Sequence, residues 1–222
     1  MHIALIGATG FVGSAALTEL LARGHRVTAL ARTPSKLAPR DGLTVVAADV
    51  NDAAQVAAAV RGADAVLSAF NPGWEHPQLY DAFLQGSRAI TTGVRAAGVP
   101  RLLVVGGAGS LYVAPGVQLV DTPQFAQHVP PNVVPGARAA RDALDELRAR
   151  HGDDSALDWV FLSPPAMLAP GERSGQYRTG TDHLLMAGDA PAGISVADLA
   201  VALVDELEAP RHHRQRFTVA AA

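Results

Sequence analysis

Three glycines at a fixed spacing carry the clearest chemistry in the chain. They lie in Gly7-Ala8-Thr9-Gly10-Phe11-Val12-Gly13, between the apolar run His2–Ile6 and an amphipathic stretch from Ser14 to Arg23. The pattern reads as a buried strand, a glycine-rich turn and a helix. Gly7 permits the tight turn out of the strand, Gly10 lets a pyrophosphate reach the backbone with no Cβ in the way, and Gly13 allows close packing of helix on strand. An anion would sit at the helix N-terminus, where unpaired N–H groups and the helix dipole favour negative charge. The spacing is G-x-x-G-x-x-G rather than the G-x-G-x-x-G of the standard dinucleotide fingerprint.

A second group of residues bears on which dinucleotide. Arg32 follows the second apolar run, His25 to Ala31, with Thr33, Pro34, Ser35 and Lys36 close behind, and no acid lies between Arg26 and Arg40. In dinucleotide-binding folds an Asp or Glu at this strand end bonds the ribose 2′-hydroxyl of NAD, whereas an Arg accommodates the 2′-phosphate of NADP. Arg32 and Lys36 therefore point to NADP(H) over NAD(H). Asp49, at the end of the third run Leu43–Ala48, has two readings: it accepts from the adenine amino group, or it or Asn51 caps the next helix.

The elements that must position these groups alternate strictly. A helix over Asp52–Val60, a strand over Ala63–Ala69, a long helix over Pro77–Ala97 and a strand over Arg101–Val105 follow in turn. With right-handed crossovers this gives an α/β fold, a Rossmann-like doubly wound parallel sheet with helices on both faces and a small C-terminal substrate-side region. Residues 111–135, rich in Pro, Val and Gln, break the alternation; they are too apolar for disorder and too long for an ordinary connection. A helix over Gly136–Arg150, a strand over Leu157–Leu162, a Gly-rich stretch over 169–193 with a short strand near Gln176–Arg178, a helix over Val196–Leu207 and a strand at Phe217–Val219 complete the chain. One domain over 1–222 is expected, with 111–135 and 164–195 as substrate-side loops.

Composition narrows the class. At 222 residues, 49% hydrophobic and 18% charged, the chain is long enough for a sizeable core, and its net charge of −3 gives no basic excess for nucleic acid or an anionic membrane surface. No apolar run is long enough to span a bilayer. With no cysteine there is no disulfide, thiolate metal site or cysteine nucleophile, and with no basic leader ahead of the first strand a cytoplasmic protein is expected. His212-His213 reads as an exposed pair without a third ligand, so no metal is expected. Asp145-Glu146 and Asp153-Asp154 read as solvated charge.

Taken together, the glycine motif, Ala31-Arg32-Thr33-Pro34-Ser35-Lys36-Leu37, Ala48-Asp49-Val50, Val104-Val105-Gly106-Gly107-Ala108-Gly109-Ser110-Leu111, Leu157–Pro165 and Pro170-Gly171-Glu172-Arg173-Ser174-Gly175 resemble the atypical short-chain dehydrogenase/reductases with an NAD(P)H-binding domain. Within these the chain is most similar to a bacterial group named NADH-flavin reductases, relatives of biliverdin reductase B and the NmrA-like proteins. The resemblance covers nearly the whole chain and is more specific for fold and cofactor than for substrate. It implies that Gly7, Ala8, Thr9, Gly10, Phe11 and Val12 hold the pyrophosphate and that Arg32, with Thr33 or Lys36, meets the 2′-phosphate. Asp49 and Val50 would border adenine, Ala69, Phe70 and Asn71 would lie beside the ribose, Gly106 and Gly107 would flank the nicotinamide, and Pro164, Pro165 and Ala166 would close over it.

One departure from the wider superfamily matters more than the matches. The helix after the fifth strand usually carries Tyr-x-x-x-Lys, whose Tyr is the general acid; here it reads Gly136-Ala137-Arg138-Ala139-Ala140-Arg141-Asp142-Ala143-Leu144 and has neither residue. Hydride transfer to a flavin or quinone asks less, because the acceptor is a good electrophile and its protons can come from water. An NADPH-dependent reductase of such small-molecule acceptors is expected, as monomer or homodimer, with flavin as substrate. The alternative is a non-catalytic NADP-binding redox sensor of the NmrA-like type; a sugar-nucleotide epimerase would need the missing tyrosine. Ser110 is the catalytic candidate: it either bonds substrate or nicotinamide or satisfies the backbone of its turn. Arg138 is a further candidate near the cofactor, where the family's Lys would stand, or else lies on a solvated helix face; Tyr112 and His183 are candidates beside the substrate.

Overall fold

The structure is a computed structural model and describes residues 1–149 and 157–222; the Asp153-Asp154 pair lies outside the described residues. Eight strands form one sheet: β1 (His2–Ile6), β2 (Arg26–Ala31), β3 (Leu43–Ala47), β4 (Ala65–Ser68), β5 (Arg101–Val105), β6 (Asp158–Ser163), β7 (Tyr177–Gly180) and β8 (Gln215–Ala221). Their order is β7-β8-β6-β5-β4-β1-β2-β3. All run parallel except β7, which pairs antiparallel with β8 in the register Tyr177↔Ala221. The chain leaves β1 toward β2 and β3, then returns to build β4, β5 and β6 on the other side. Ile6 therefore stands between Leu30 and Ser68 at a topological switch point, where open α/β sheets bind ligands.

Successive strand residues face opposite layers, and the two cores follow that period of two. Ile3 and Leu5 join Leu17 and Leu20 of α1 (Phe11–Ala22) with Leu199 and Leu203 of the C-terminal helix Val196–Glu208 on one face. Ala4 and Ile6 join Val56 of α2 (Ala53–Val60) with Ile90 and Val94 of α3 (Leu79–Ala96) on the other. Burial on both faces is why these strands read as continuous apolar runs. The remaining α-helices among the described residues are α4 (Pro123–His128) and α5 (Val134–Ala149), which makes the C-terminal helix α6. Asp52, rather than Asp49 or Asn51, caps α2: its carboxylate accepts from Ala54 N at 2.9 Å and Gln55 N at 3.2 Å.

The expected loop over 111–135 has structure of its own. It forms a hairpin of Tyr112–Ala114 with Val117–Gln118 and then α4, whose N-cap Thr122 accepts from Phe125 N. Leu111, Val120 and Phe125 along it are buried. Residues 164–195 are likewise not plain coil. Met167–Ala169 pairs with Gly193–Ser195 and Met186–Ala187 with Ala190–Pro191, while the strand expected near Gln176–Arg178 is β7 itself.

An ionic cluster clamps α1 to α6 away from the switch point. Arg23 bonds Glu19, Asp205 and Glu208, each at 2.7 Å, and Arg173 reaches Glu19 at 2.8 Å. The Arg173 hydrogen bond, outweighing burial and helped by Arg23, holds the Glu19 carboxyl below its usual value of 4.5. A depressed carboxylate adds stability above its unfolded pKa and loses it as pH falls through the folded one. The thermal midpoint is therefore expected to be insensitive to this group above about pH 5 and to fall below about pH 4. In Glu19→Gln, measured by thermal scans across pH, the acid limb of that fall becomes shallower. An unchanged acid limb would mean Glu19 contributes nothing to it.

Candidate functional site

The glycine turn has the geometry an anion site needs. Gly7 has φ +83°, and a Cβ there would lie 2.3 Å from the Ala69 carbonyl oxygen. Gly13 would put a Cβ 2.0 Å from the Gly7 carbonyl oxygen, so α1 rests on the turn itself. Gly10 N donates to Gly7 O at 2.9 Å and Ser14 N to Gly10 O at 2.9 Å, so the helix begins at Phe11, three residues before the expected Ser14. No side chain caps this end and no acid stands in its first turn. The first-turn N–H groups thus have no side-chain acceptor at this helix end. Ala8 is buried and Val12 packs on the core, so these two offer only backbone, whereas Thr9 and Phe11 are exposed.

Beyond the turn a cavity of about 370 Å³ opens over the C-terminal ends of β1, β2 and β4. Gly7, Thr9, Arg32, Thr33, Lys36, Val50, Phe70 and Asn71 line it together, from four separate stretches of chain. Arg32 and Lys36 are exposed, and their side chains have no ion-pair partner among the described residues. Asp49 stands outside the lining: its carboxylate accepts from Asn51 N at 3.0 Å and Asn51 Nδ2 at 3.1 Å, and Asn51 takes the place at the wall. His76 and Pro72 also line the cavity; neither stands at a strand end or in a glycine motif, so no local signal marked them.

At the other end of the switch point, β5 and β6 deliver the remaining candidates. A Cβ on Gly106 would lie 1.9 Å from the Phe161 ring, and one on Gly107 would touch Ala140 of α5 at 3.5 Å. Ser110 is 1% exposed; its hydroxyl donates to Gly107 O at 3.1 Å and lies 3.1 Å from Ser163 Oγ. Arg216 of β8 donates to Ser110 O at 2.6 Å and to Ser110 Oγ at 3.2 Å, and its guanidinium is paired with Asp182. Burial pushes the Arg216 pKa down, while Asp182 opposes the shift. Pro164 and Pro165 are buried and Ala166 partly so.

The flanking candidates lie in different surroundings. Tyr112 and His183 meet, with ring centroids 6.0 Å apart. Arg138 lies on the exposed side of α5, and Ala137 and Ala140 face the β5 exit instead. Tyr80 and Tyr177 donate to Asp142 at 2.5 Å and Asp205 at 2.7 Å. Asp145 and Glu146 pair with Arg148 and Arg88. His213 is exposed, but His212 is not: it bonds Glu206 at 2.7 Å and stacks on Phe217 at 4.2 Å. Among the described residues no cluster of His, Asp and Glu could hold a metal, and no helix is long and apolar enough to cross a membrane.

A glycine turn feeding a helix N-terminus at the switch point of a 3-2-1-4-5-6 sheet defines a dinucleotide-binding α/β protein. The chain belongs to the NAD(P)H-binding family, whose model matches residues 7–210, within the atypical short-chain dehydrogenase/reductases. It is 38% identical over 224 residues to the uncharacterized protein YwnB of Bacillus subtilis, covering 99% of this chain and 98% of that one. It resembles a solved structure from Bacteroides thetaiotaomicron described as a "putative epimerase" (44% identity, TM-score 0.88, 99% and 96% covered). It also resembles one from Streptococcus pneumoniae described as a "putative NADH-flavin reductase" (32% identity, TM-score 0.81, both chains covered in full).

Proposed function

We propose that the protein is an NADPH-dependent reductase that passes hydride to flavin- or quinone-like acceptors. The observation that carries the cofactor choice is the lip of the cavity, where Arg32, Thr33 and Lys36 stand with no ion-pair partner for either cation among the described residues. A 2′-phosphate placed there would gain two charge-assisted contacts. The glycine turn would hold the pyrophosphate on the first-turn N–H groups of α1.

Bound nicotinamide would supply the hydride, and the chain's own work would be alignment and exclusion of water. Val134–Ala149 contains no Tyr and no Lys, and small residues of that helix face the β5 exit. This supports an acceptor that needs no protein acid, and it speaks against epimerase chemistry. Ser110 fits a positioning role in this reading: its hydroxyl and carbonyl, gripped by Arg216 and Ser163, fix the Gly106-Gly107 exit against which the nicotinamide would lie. Pro164, Pro165 and Ala166 would close the same edge. With no cysteine in the chain, a reducing cytoplasm suits it.

The test is NADPH consumption with FMN, FAD, riboflavin and simple quinones, with NADPH binding followed in parallel. Acceptor-dependent turnover with NADPH preferred over NADH is expected. Tight binding with no turnover on any acceptor would replace the reductase with the sensor, and absence of binding would remove both.

A further inference from the structure

The loop that leaves β4 holds an exposed tryptophan in a fixed place. Gly73 N donates to Asn71 Oδ1 at 2.7 Å, His76 N to Gly73 O at 3.0 Å and Gln78 N to His76 Nδ1 at 3.1 Å, so both sides of Trp74 are braced. One edge of the indole packs where a Cβ on Gly136 of α5 would lie, 2.9 Å from Trp74 Cζ3. Yet the residue stays 49% exposed, against 5% for Trp159, the other tryptophan. A rigidly presented indole beside a cofactor cavity is costly to leave bare in water and well suited to a flat apolar ring.

Trp74 lines a second cavity of about 490 Å³, walled on the far side by Asn132 and Pro135. Asn132 Nδ2 donates to Glu75 Oε1 at 2.8 Å and ties the two walls together. His76 lines this cavity and the 370 Å³ dinucleotide cavity alike, so the two adjoin. The charged groups on the second wall are Glu75 and Asp81, and neither Lys nor Arg lines it.

Resting on the reductase reading, we propose that Trp74 is the platform on which the planar ring of the hydride acceptor stacks, and that Glu75 and Asp81 bias this cleft toward uncharged rings over phosphorylated ones. Stacking of a ring on an aromatic side chain is worth a measurable share of affinity, and like charges in a binding cleft reject a ligand. Riboflavin would therefore be preferred to FMN, which carries the same ring with a phosphate.

The experiment titrates riboflavin and FMN into the full chain loaded with NADP+ while tryptophan fluorescence is read, and measures KM for both flavins with NADPH. Saturable quenching by riboflavin is expected, with a KM for FMN several-fold higher and the gap narrowing as salt is raised. Trp74→Leu is expected to raise the riboflavin KM about tenfold, with the NADPH Kd within about twofold of wild type. Trp74→Phe removes the contacting fluorophore and leaves the buried Trp159, but keeps a ring, so it loses the Trp74 share of the quenching and holds its KM within about threefold.

A rise in KM and in NADPH Kd together, in both variants, would make Trp74 structural and overturn the inference. Turnover of riboflavin by wild type with no quenching, or with an unchanged KM in Trp74→Leu, would also overturn it and leave the reductase standing. Saturable quenching with no turnover would keep the ring site and remove the reductase. Equal KM values for FMN and riboflavin would overturn the charge selection. Tryptophan emission that tracks protein concentration and dimer formation, with no response to riboflavin, would give this face to a second copy instead.

Discussion

Arg32→Asp is expected to weaken NADPH binding by about a hundredfold while changing NADH binding by no more than about threefold. The argument is local. Arg32 is exposed at the end of β2, lines the 370 Å³ cavity and has no ion pair to lose among the described residues. Its removal therefore leaves the apo fold and its thermal midpoint unchanged. A carboxylate in its place would face a 2′-phosphate as a like charge, whereas it could accept from the free 2′-hydroxyl of NADH. Lys36→Ala is expected to have the same sign and a smaller effect, since an ammonium on a flexible stem gives one point contact rather than a fork. Equal losses for NADPH and NADH in titrations of Arg32→Asp would mean that Arg32 does not meet the phosphate, and the assignment to NADP would fall with it.

What the sequence made legible was local in the chain. β1, the turn and α1 lie within the first twenty-two residues, and their glycines have steric reasons that spacing alone expresses. Arg32 follows the same logic, since a strand end places it. Even there the helix starts at Phe11 rather than Ser14, because Gly10-Phe11-Val12-Gly13 lacks the apolar period that announces a helix, and backbone hydrogen bonding alone sets the start. Asp49 and Asp52 show the same limit: both are acids beside a helix start, and only geometry separates the residue that caps from the one that turns.

The groups without a local signal are held by partners far away in sequence. Arg216 stands outside the strand expected at Phe217–Val219, yet it is a buried strand residue whose partners Asp182 and Ser110 arrive from 34 and 106 positions away. β7 is an antiparallel edge because Tyr177 finds Ala221, which no period in 169–193 records. Trp74 carries no motif at all; its place is set by Gly136, on a helix 62 positions further on, leaving room for the indole.

The glycines themselves offer the other large effect, since they are three for different reasons. Gly13→Ala adds a methyl 2.0 Å from the Gly7 carbonyl oxygen and 2.6 Å from its carbon, and both atoms are backbone. No side chain can swing aside, so α1 must back away from the turn. The better helix propensity of alanine offsets about 1 kcal/mol of this, against about 1–3 kcal/mol or more for overpacking. A thermal midpoint lower by several degrees is expected, together with NADPH affinity down by tenfold or more, because the first-turn N–H groups retreat from the pyrophosphate. Gly10→Ala separates the two effects. A Cβ there meets only Gly7 O at 3.3 Å, and its backbone, at φ −83° and ψ 172°, is one that any residue adopts. The apo fold should keep its midpoint to within about the cost of a poorer N-cap, roughly 1 kcal/mol. The methyl would nonetheless stand where the pyrophosphate must approach, so NADPH affinity should fall as far as in Gly13→Ala. Thermal scans without cofactor, paired with NADPH titrations, distinguish these outcomes. If Gly10→Ala binds NADPH like wild type, the pyrophosphate does not cross the turn at Gly10, and the anion site at the N-terminus of α1 has been misplaced.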